Sequence, residues 1–512
     1  MVNNNSKEKW LSRRGFLSKG IASAGSLSLL SGVIGNSAFA RTVSKDDLNL
    51  SSLQEKFKGL LLTPKDADFN KILLGGLWNE LRPTRMPQLI AQVNDEHDIA
   101  QIIKYARANK LKVSIRGGGH NWCSPSNRNG GILIDLANLN KVVSIDPDAR
   151  KAVVQPIVSN REIQAALKPY NLAFPSGHCP PVKMSGYLLS GGMSWNQGVW
   201  GPGVGSVEAV ELVTPDGELI LANANQNQDY FWAARGAGPG LFAVATRYHL
   251  KLYPLPKAIA TSLYYYAYDD MEAVCEWLGP LARQLPENVE LSFGILAAPP
   301  ELADKCTASN GKLCCVSAIL FADSEAEAHA ALSPLDTCPI INRCLSKSVQ
   351  QPSNFEALFD ASGALWPSGQ RCRTEALFYE CALTDVAKAV KDHFLRTPSP
   401  KSLIFLSVFT GENVPVPPPQ DAAFSMTGNL YGGPWTMWEK QADDAENKKW
   451  HEKCVQLLSP HICGHYVGET NTVEHPDFAK ASYKEANWKC LTQLRKKYDP
   501  DEVFFDFSAG LT

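Results

Sequence analysis

The chain has 512 residues, 44% hydrophobic and 20% charged, which is enough apolar material for two domains with full-sized cores. Its 50 basic and 52 acidic side chains leave a formal net charge of -2, so it has neither the basic excess of a nucleic-acid binder nor an acidic solvating tail. There is no internal repeat and no apolar run long enough to span a membrane.

The first forty residues read as a processing segment. Arg13-Arg14 precede a mild apolar stretch from Ile21 to Ile34, and Ala38-Phe39-Ala40 has the small-residue pattern of a cleavage site. This order describes a twin-arginine export signal over 1–40, with Arg41 starting the mature chain and a periplasmic or secreted destination. A short anchor or an N-terminal tail is the alternative. Twin-arginine export carries folded, often cofactor-loaded proteins. Thirteen cysteines suit an oxidising compartment, but their scattered spacing assigns no bridge, and the odd count leaves at least one thiol over.

Asn94 or Asp95 caps a predicted helix with Ile99, Ile102, Ile103 and Ala106 on one face. A strand over Lys112 to Ile115 runs into Arg116-Gly117-Gly118-Gly119-His120. Ile132 to Leu136 and Ala152 to Gln155 read as strands, and Ser159 caps a helix carrying Ile163 and Leu167. Val207 to Val213 and Leu219 to Leu221 form a hairpin about Thr214-Pro215-Asp216-Gly217. After Pro254 the texture changes to strands at 264–266, 289–295, 316–321 and 403–409, with helical segments such as Glu325 to Leu332 between them. Val414 to Pro419 is a proline-rich loop, and a last helix runs from about Trp488 to Tyr498 before Asp499-Pro500.

Three successive glycines after a strand allow a tight turn, close approach of a ligand to the backbone, and a nest of N–H groups for an anion such as a pyrophosphate. Alone, Gly117 to Gly119 fits a structural turn as well. No Gly-Lys-Ser/Thr follows, and Leu241 stands where a Rossmann fingerprint from Gly236 would need its third glycine. Two further clusters enlarge the pattern: Gly177-His178-Cys179-Pro180 leading to Gly186 and Gly191-Gly192, then Gly236 to Gly240 followed by Val244. Three backbone-exposing segments in one region fit a large, extended ligand.

With these motifs in this order, the chain resembles the FAD-linked oxidases of the vanillyl-alcohol-oxidase type with a PCMH-type FAD-binding domain. Within them it is most similar to the berberine-bridge-enzyme-like branch. The resemblance spans nearly the whole mature chain, is strongest from Pro87 to Pro254, and extends to Asn487-Trp488, Leu491 and Lys497 to Pro500 near the C-terminus. It implies an α+β fold. A two-subdomain FAD-binding domain over 41–255 has its core from about 83, and an α+β substrate domain with a mainly antiparallel sheet covers 256–466. A C-terminal segment, 467–512, returns to the first domain.

The resemblance also implies FAD attached twice, through His120 and Cys179. Histidine and thiolate are nucleophiles able to add to an electron-poor flavin ring, and such links raise its reduction potential. A turn histidine and a disulfide cysteine are the alternatives, and Cys123 is a rival for the second link. Further cofactor-binding positions carried over are Arg116, Gly117, Gly118, Gly119, Asn121, Gly186, Gly191, Gly192, Val244 and Asn487.

The chain departs from the family where Lys183 and Tyr187 replace a glycine and a histidine, and where Pro156 stands at a common glycine. Lys183 either faces the reduced ring or points to solvent. Val182 occupies the position at which valine goes with oxygen access, which leans toward an oxidase. A hydroxyl-bearing carbon losing hydride needs a base for its proton. Sugar-oxidising members use a tyrosine in Tyr-x-Asn-Tyr; here Tyr466-Val467-Gly468-Glu469 makes Glu469 the candidate base beside Tyr466, with an ordinary loop carboxylate as the alternative. Tyr431, Trp435 and Trp438 line a substrate cleft or sit in the core.

The expected function is therefore hydride transfer from a small organic substrate, a sugar or other alcohol, to FAD, with molecular oxygen as acceptor and peroxide as product. A dehydrogenase using another acceptor, a zinc hydrolase built on His120-x-x-Cys123 and His178-Cys179, and a non-catalytic binding protein are the alternatives. No metal, nucleic acid or membrane partner is expected.

Overall fold

A computed structural model describes residues 50–411 and 416–508. The export signal over 1–40, and Val414-Pro415 of the proline-rich loop, lie outside the described residues.

The first sheet is mixed. Strands β1 (Leu60–Leu62), β2 (Leu89–Gln92), β3 (Val113–Arg116) and β4 (Ile132–Asp135) run in the order β1-β2-β4-β3, with β2 and β3 both parallel to β4. Helix α1 (Phe69–Gly75) precedes β2, and α2 (Glu96–Ala108) links β2 to β3. The Asp95 side chain accepts the Asp98 N–H at the start of α2, and Ile99, Ile102, Ile103 and Ala106 are wholly buried against the sheet. The strand expected at 112–115 ends one residue later. Arg116 stands opposite Asp135 in the β3/β4 ladder, and their ion pair closes the strand end.

The second sheet is antiparallel: β5 (Val142–Asp146), β6 (Lys151–Val154), β7 (Val207–Val213), β8 (Leu219–Asn223) and β9 (Val244–Lys251), in the order β5-β6-β9-β7-β8. Between β6 and β7 lie α3 (Asn160–Leu167), begun by a capping box of Ser159 and Glu162, and α4 (Met184–Leu189). The β7–β8 hairpin turns at Gly217, whose positive φ of 73° suits glycine.

From Ala258 onward the chain builds one nine-stranded antiparallel sheet. Its strands are β10 (Ala258–Ala267), β11 (Val289–Ala297), β12 (Lys312–Ala322), β13 (Ser346–Ser353), β14 (Arg371–Thr374), β15 (Leu377–Tyr379), β16 (Leu403–Val408), β17 (Leu430–Trp438) and β18 (Ile462–His465). The path runs β13-β10-β12-β11-β16-β17-β15-β18, and β14 also pairs with β17. Side chains alternate across it. On β16, Ile404, Leu406 and Val408 join the large core under helices α5 (Met271–Ala282) and α7 (Leu383–Phe394), whereas Leu403 and Phe405 join a separate cluster with Trp366 and Trp435. Helix α6 (Phe355–Leu365) ends at Trp366, α8 (Asp444–Leu458) packs on β17, and α9 (Glu485–Tyr498) is the last helix.

After α9 the chain returns to the first sheet. The Val113 N–H donates to the Val503 carbonyl at 2.7 Å, and the Phe505 N–H donates to the Val113 carbonyl at 3.0 Å. All thirteen cysteines are free thiols, so no bridge contributes to the fold. Among the described residues no helix is long and apolar enough to cross a membrane.

Candidate active site

One long cleft is lined by the end of β3 and the loop through Trp122, by 177–190, by Gly238 to Ala245, by Phe504 and Phe505, and by side chains of the nine-stranded sheet. The glycines at its mouth have two separate reasons to be glycine. A Cβ on Gly117 would overlap Ser185, one on Gly118 would overlap the Lys183 stem, and one on Gly119, at φ 63°, would overlap the Gly76 carbonyl. These three let protein segments close on one another. Gly186 differs, because a Cβ there would meet no protein atom within 4 Å.

His120 follows that loop and stacks on Trp78, with ring centroids 4.9 Å apart. Burial pulls its imidazole down to about 4, so the ring is neutral, and its buried Nε2 has no hydrogen-bond partner. The next three residues fasten the loop to 468–470. The Asn121 side-chain amide donates to the Gly468 carbonyl at 2.8 Å, the Trp122 indole donates to the Glu469 carbonyl at 3.2 Å, and the Cys123 thiol lies 3.7 Å from the Thr470 carbonyl. Cys123 is thereby committed to the loop junction.

Cys179 lies in the same cleft, with its carbonyl accepting from Asn160 at 3.1 Å. Burial, and then the charge of Glu469, push its thiol up to about 12. The neighbouring His178 also lines the cleft; its Nε2 pairs with Glu290 of β11, whose other oxygen accepts the Asn196 N–H at 3.3 Å. Its ring meets Trp195 edge-on at 4.0 Å.

Glu469, Tyr466 and Tyr431 form a polar group at the seam between the loops and the large sheet. The Tyr431 hydroxyl donates to Glu469 Oε2 at 3.1 Å, and the Tyr431 and Tyr466 rings meet edge-on at 5.7 Å. Burial raises the Glu469 carboxyl above its ordinary value, opposed by the Tyr431 hydrogen bond and the charge of His178. The Tyr466 hydroxyl accepts the Gly192 N–H at 3.2 Å; burial and then Glu469 hold its proton on. Below them the buried Glu375 accepts from the Thr470 hydroxyl at 2.5 Å and from the Asn471 N–H at 3.2 Å, which fixes the 469–471 backbone.

The structure gathers His120, Cys179, Asn121, Gly117, Gly118, Gly119, Gly186, Val244, Tyr466 and Glu469 around the cleft. It puts others to different use. Arg116 also lines the cleft, but its guanidinium is turned to Asp135 at 2.9 Å and to the Leu73 and Ile72 carbonyls at 2.6 and 2.8 Å. Gly191 and Gly192 are not among the lining residues: a Cβ at 191 would strike Phe424, and one at 192 would crowd Tyr187. Asn487 on α9 ties down the 419–423 loop through the Pro419 and Ala422 carbonyls at 2.9 and 3.0 Å. Lys183 lies along the cleft and pairs with Glu162 at 3.4 Å, and the Tyr187 hydroxyl donates to the Pro175 carbonyl.

Tyr431 and Trp435 line the cleft, whereas Trp438 is core and donates its indole N–H to Asp444 at 2.8 Å. Sequence reasoning missed Trp78, Trp366 and Phe405, and weighed His178 only as a metal ligand. Two-residue alternation along 403–408 was the available signal for Phe405. Among the described residues no group of three or more His, Cys, Asp and Glu side chains is arranged to hold a metal, so the zinc alternative finds no ligand set there.

A domain family described as FAD binding domain matches residues 87–223. The chain is 27% identical over 427 residues to the FAD-linked oxidoreductase nodO of Hypoxylon pulicicidum, covering 83% of this chain and 91% of that one. It is 25% identical over 460 residues to the FAD-linked oxidoreductase YgaK of Bacillus subtilis (strain 168), covering 88% and 96%. The chain is an FAD-linked oxidoreductase. Its fold is that of the vanillyl-alcohol-oxidase and berberine-bridge-enzyme-like proteins. The 6-hydroxy-D-nicotine oxidase of Arthrobacter nicotinovorans superposes with a TM-score of 0.74 at 20% identity, covering 89% of this chain and 98% of that one. The xylooligosaccharide oxidase of Myceliophthora thermophila C1 gives 0.74 at 18% identity, covering 90% and 98%.

The residues of this FAD-linked oxidoreductase fit the cofactor. The cleft offers a neutral imidazole, a free thiol and a glycine at 186 open to its neighbours, and its lining residues from Val113 to Met193 lie within the matched 87–223 segment.

Proposed function

We propose that His120 and Cys179 both hold FAD covalently and that the enzyme oxidises a small alcohol in the same cleft, with dioxygen as the terminal acceptor. One observation carries this reading: His120, Cys179 and the neighbouring Tyr466 and Glu469, three sites far apart in sequence, line a single cleft. When bound, FAD supplies a two-electron acceptor that oxygen can regenerate, with peroxide as product.

The chain's own part is proton handling and orientation. Glu469 in its carboxylate form takes the substrate hydroxyl proton, and burial brings its titration closer to neutrality, where a base works best. Tyr431 orients that carboxylate through its 3.1 Å hydrogen bond, and Tyr466, steadied by the Gly192 N–H, offers a hydroxyl beside it. Asn121 and Trp122 hold the 468–469 backbone against the His120 loop, so a shift of one moves the other. Val182 in the cleft supports oxygen access.

The division into 41–255, 256–466 and 467–512 is proposed as the functional one. The twin-arginine reading of 1–40 supports export of the folded enzyme to the periplasm or exterior. Purified enzyme mixed with alcohols should release peroxide in step with substrate oxidation. Dye reduction without peroxide would replace the oxidase with a dehydrogenase.

A further inference from the structure

The wall of the cleft built by the nine-stranded sheet and the end of α6 differs in chemistry from the rest. Its aromatic members are Trp366, Phe405, Tyr431 and Trp435, and its small ones include Thr374 and Ala376. Among the described lining residues between 258 and 438, none carries a charge, an amide or an imidazole. The rings brace one another. Trp366 and Trp435 are 5.5 Å apart at 56°, and Trp366 meets Phe405 edge-on at 5.4 Å. Trp366 is set by its position at the end of α6, with its backbone N–H on the Ser362 carbonyl at 2.9 Å. Phe405 stands opposite Gly433 in the β16/β17 ladder, where no side chain crowds it.

A sugar carries a hydroxyl on almost every carbon. Each one buried without a partner weakens binding by about tenfold or more. Besides the indole N–H groups of Trp366 and Trp435, this wall offers two hydroxyls, on Thr374 and Tyr431, and Tyr431 already donates to Glu469, so it could meet only a few of a sugar's hydroxyls. A flat or alicyclic hydrocarbon ring makes no such demand and covers the aromatic faces.

We propose that the substrate is an uncharged, largely apolar ring compound bearing one oxidisable secondary alcohol, its ring against Trp366, Phe405 and Trp435 and its hydroxyl at Glu469. This inference rests on the oxidation proposed above. The carbinol loses its C–H hydride, two electrons with one proton, and gives its O–H proton to the Glu469 carboxylate. A ketone is left; FAD is the oxidant, and dioxygen takes the two electrons and two protons as hydrogen peroxide.

Holoenzyme should be titrated calorimetrically and mixed anaerobically with 1-indanol, 1-tetralol, cyclohexanol, glucose and xylobiose, following flavin bleaching. The ring alcohols are expected to bind and to bleach the flavin with a second-order rate constant at least 100-fold above that of either sugar. Phe405→Asn should weaken ring-alcohol binding at least tenfold, and Phe405→Leu, which keeps the wall apolar, less than threefold. A sugar that matches or exceeds the ring alcohols, or ring alcohols that fail to bind, would overturn the substrate class while leaving the enzyme an alcohol oxidase. Ring alcohols that bind while no compound bleaches the flavin would overturn the oxidation itself.

Discussion

The two walls of the cleft are built by different means. The wall formed by 117–123 and 177–190 is mainly backbone and small residues: short segments close on one another where a Cβ would collide, and they present His120 and Cys179. The opposite wall is a set of large rings raised from strands that pair over long sequence distances. The first wall is specified by consecutive residues, the second by register. Glu469 sits at the seam, its backbone fastened to the first wall by Trp122 and its carboxylate to the second by Tyr431.

The sharpest way to break this division is at the seam. Glu469→Gln should slow anaerobic flavin reduction by about 10²–10⁴-fold, the usual contribution of a positioned base. Flavin content should not change, because neither link is touched. A loss of bound flavin equal to the loss of rate would instead make Glu469 part of the first wall.

Asp135→Asn tests how that wall is anchored. It leaves the buried Arg116 charge without its partner, both side chains being 3% exposed. Removing one member of a buried pair costs about 3–5 kcal/mol, and this should appear in denaturant unfolding. Unchanged unfolding would mean that the carbonyls of Leu73 and Ile72 satisfy Arg116 on their own.

A pair of glycine substitutions sharpens the contrast within the first wall. Gly119→Ala puts a side chain at φ 63° and against the Gly76 carbonyl, so it should destabilise the fold by at least about 1–2 kcal/mol. Gly186→Ala meets no protein atom within 4 Å. It should leave unfolding unchanged, and any loss of flavin it causes reports close approach of the cofactor. Equal destabilisation by both would contradict this distinction.

The smallest effect is expected from Tyr431→Phe. Its hydrogen bond favours the ionised Glu469, so removing it raises the carboxyl further. Because the carboxylate is the active form, the limb of kcat/KM that rises with pH should move upward by about one pH unit. A shift downward, or none, would show that the hydroxyl does not act through Glu469.

Much of the first wall was legible because its signals are local. The Arg116 to His120 run follows a strand, Gly177 to Cys179 follows a helix and a short strand, and the neighbouring strand over Val207–Val213 lies where the apolar run puts it. Motif membership, however, did not reveal what each side chain touches. Arg116 lines the cleft as its motif implies, but the ion pair of its guanidinium with Asp135, the Gly192 contact with the Tyr466 hydroxyl and the loop carbonyls held by Asn487 are pairings no motif spells out.

The second wall was barely legible. Phe405 and Trp435 share a face because β16 pairs antiparallel with β17, and three residues past Trp435 the chain delivers Trp438 to Asp444. His178 and Glu290 meet across 112 residues. No local pattern encodes such pairings, and the same aromatic residues serve equally well in a core.

The most direct test is to precipitate the purified enzyme in acid, record the flavin absorbance of pellet and supernatant, and map any flavin-bearing peptides. The expected result is a yellow pellet with flavin joined to the peptides containing His120 and Cys179; the single variants His120→Ala and Cys179→Ala each keep one link, and the double variant releases the flavin. Flavin recovered free in the supernatant from the unaltered enzyme would contradict the double attachment.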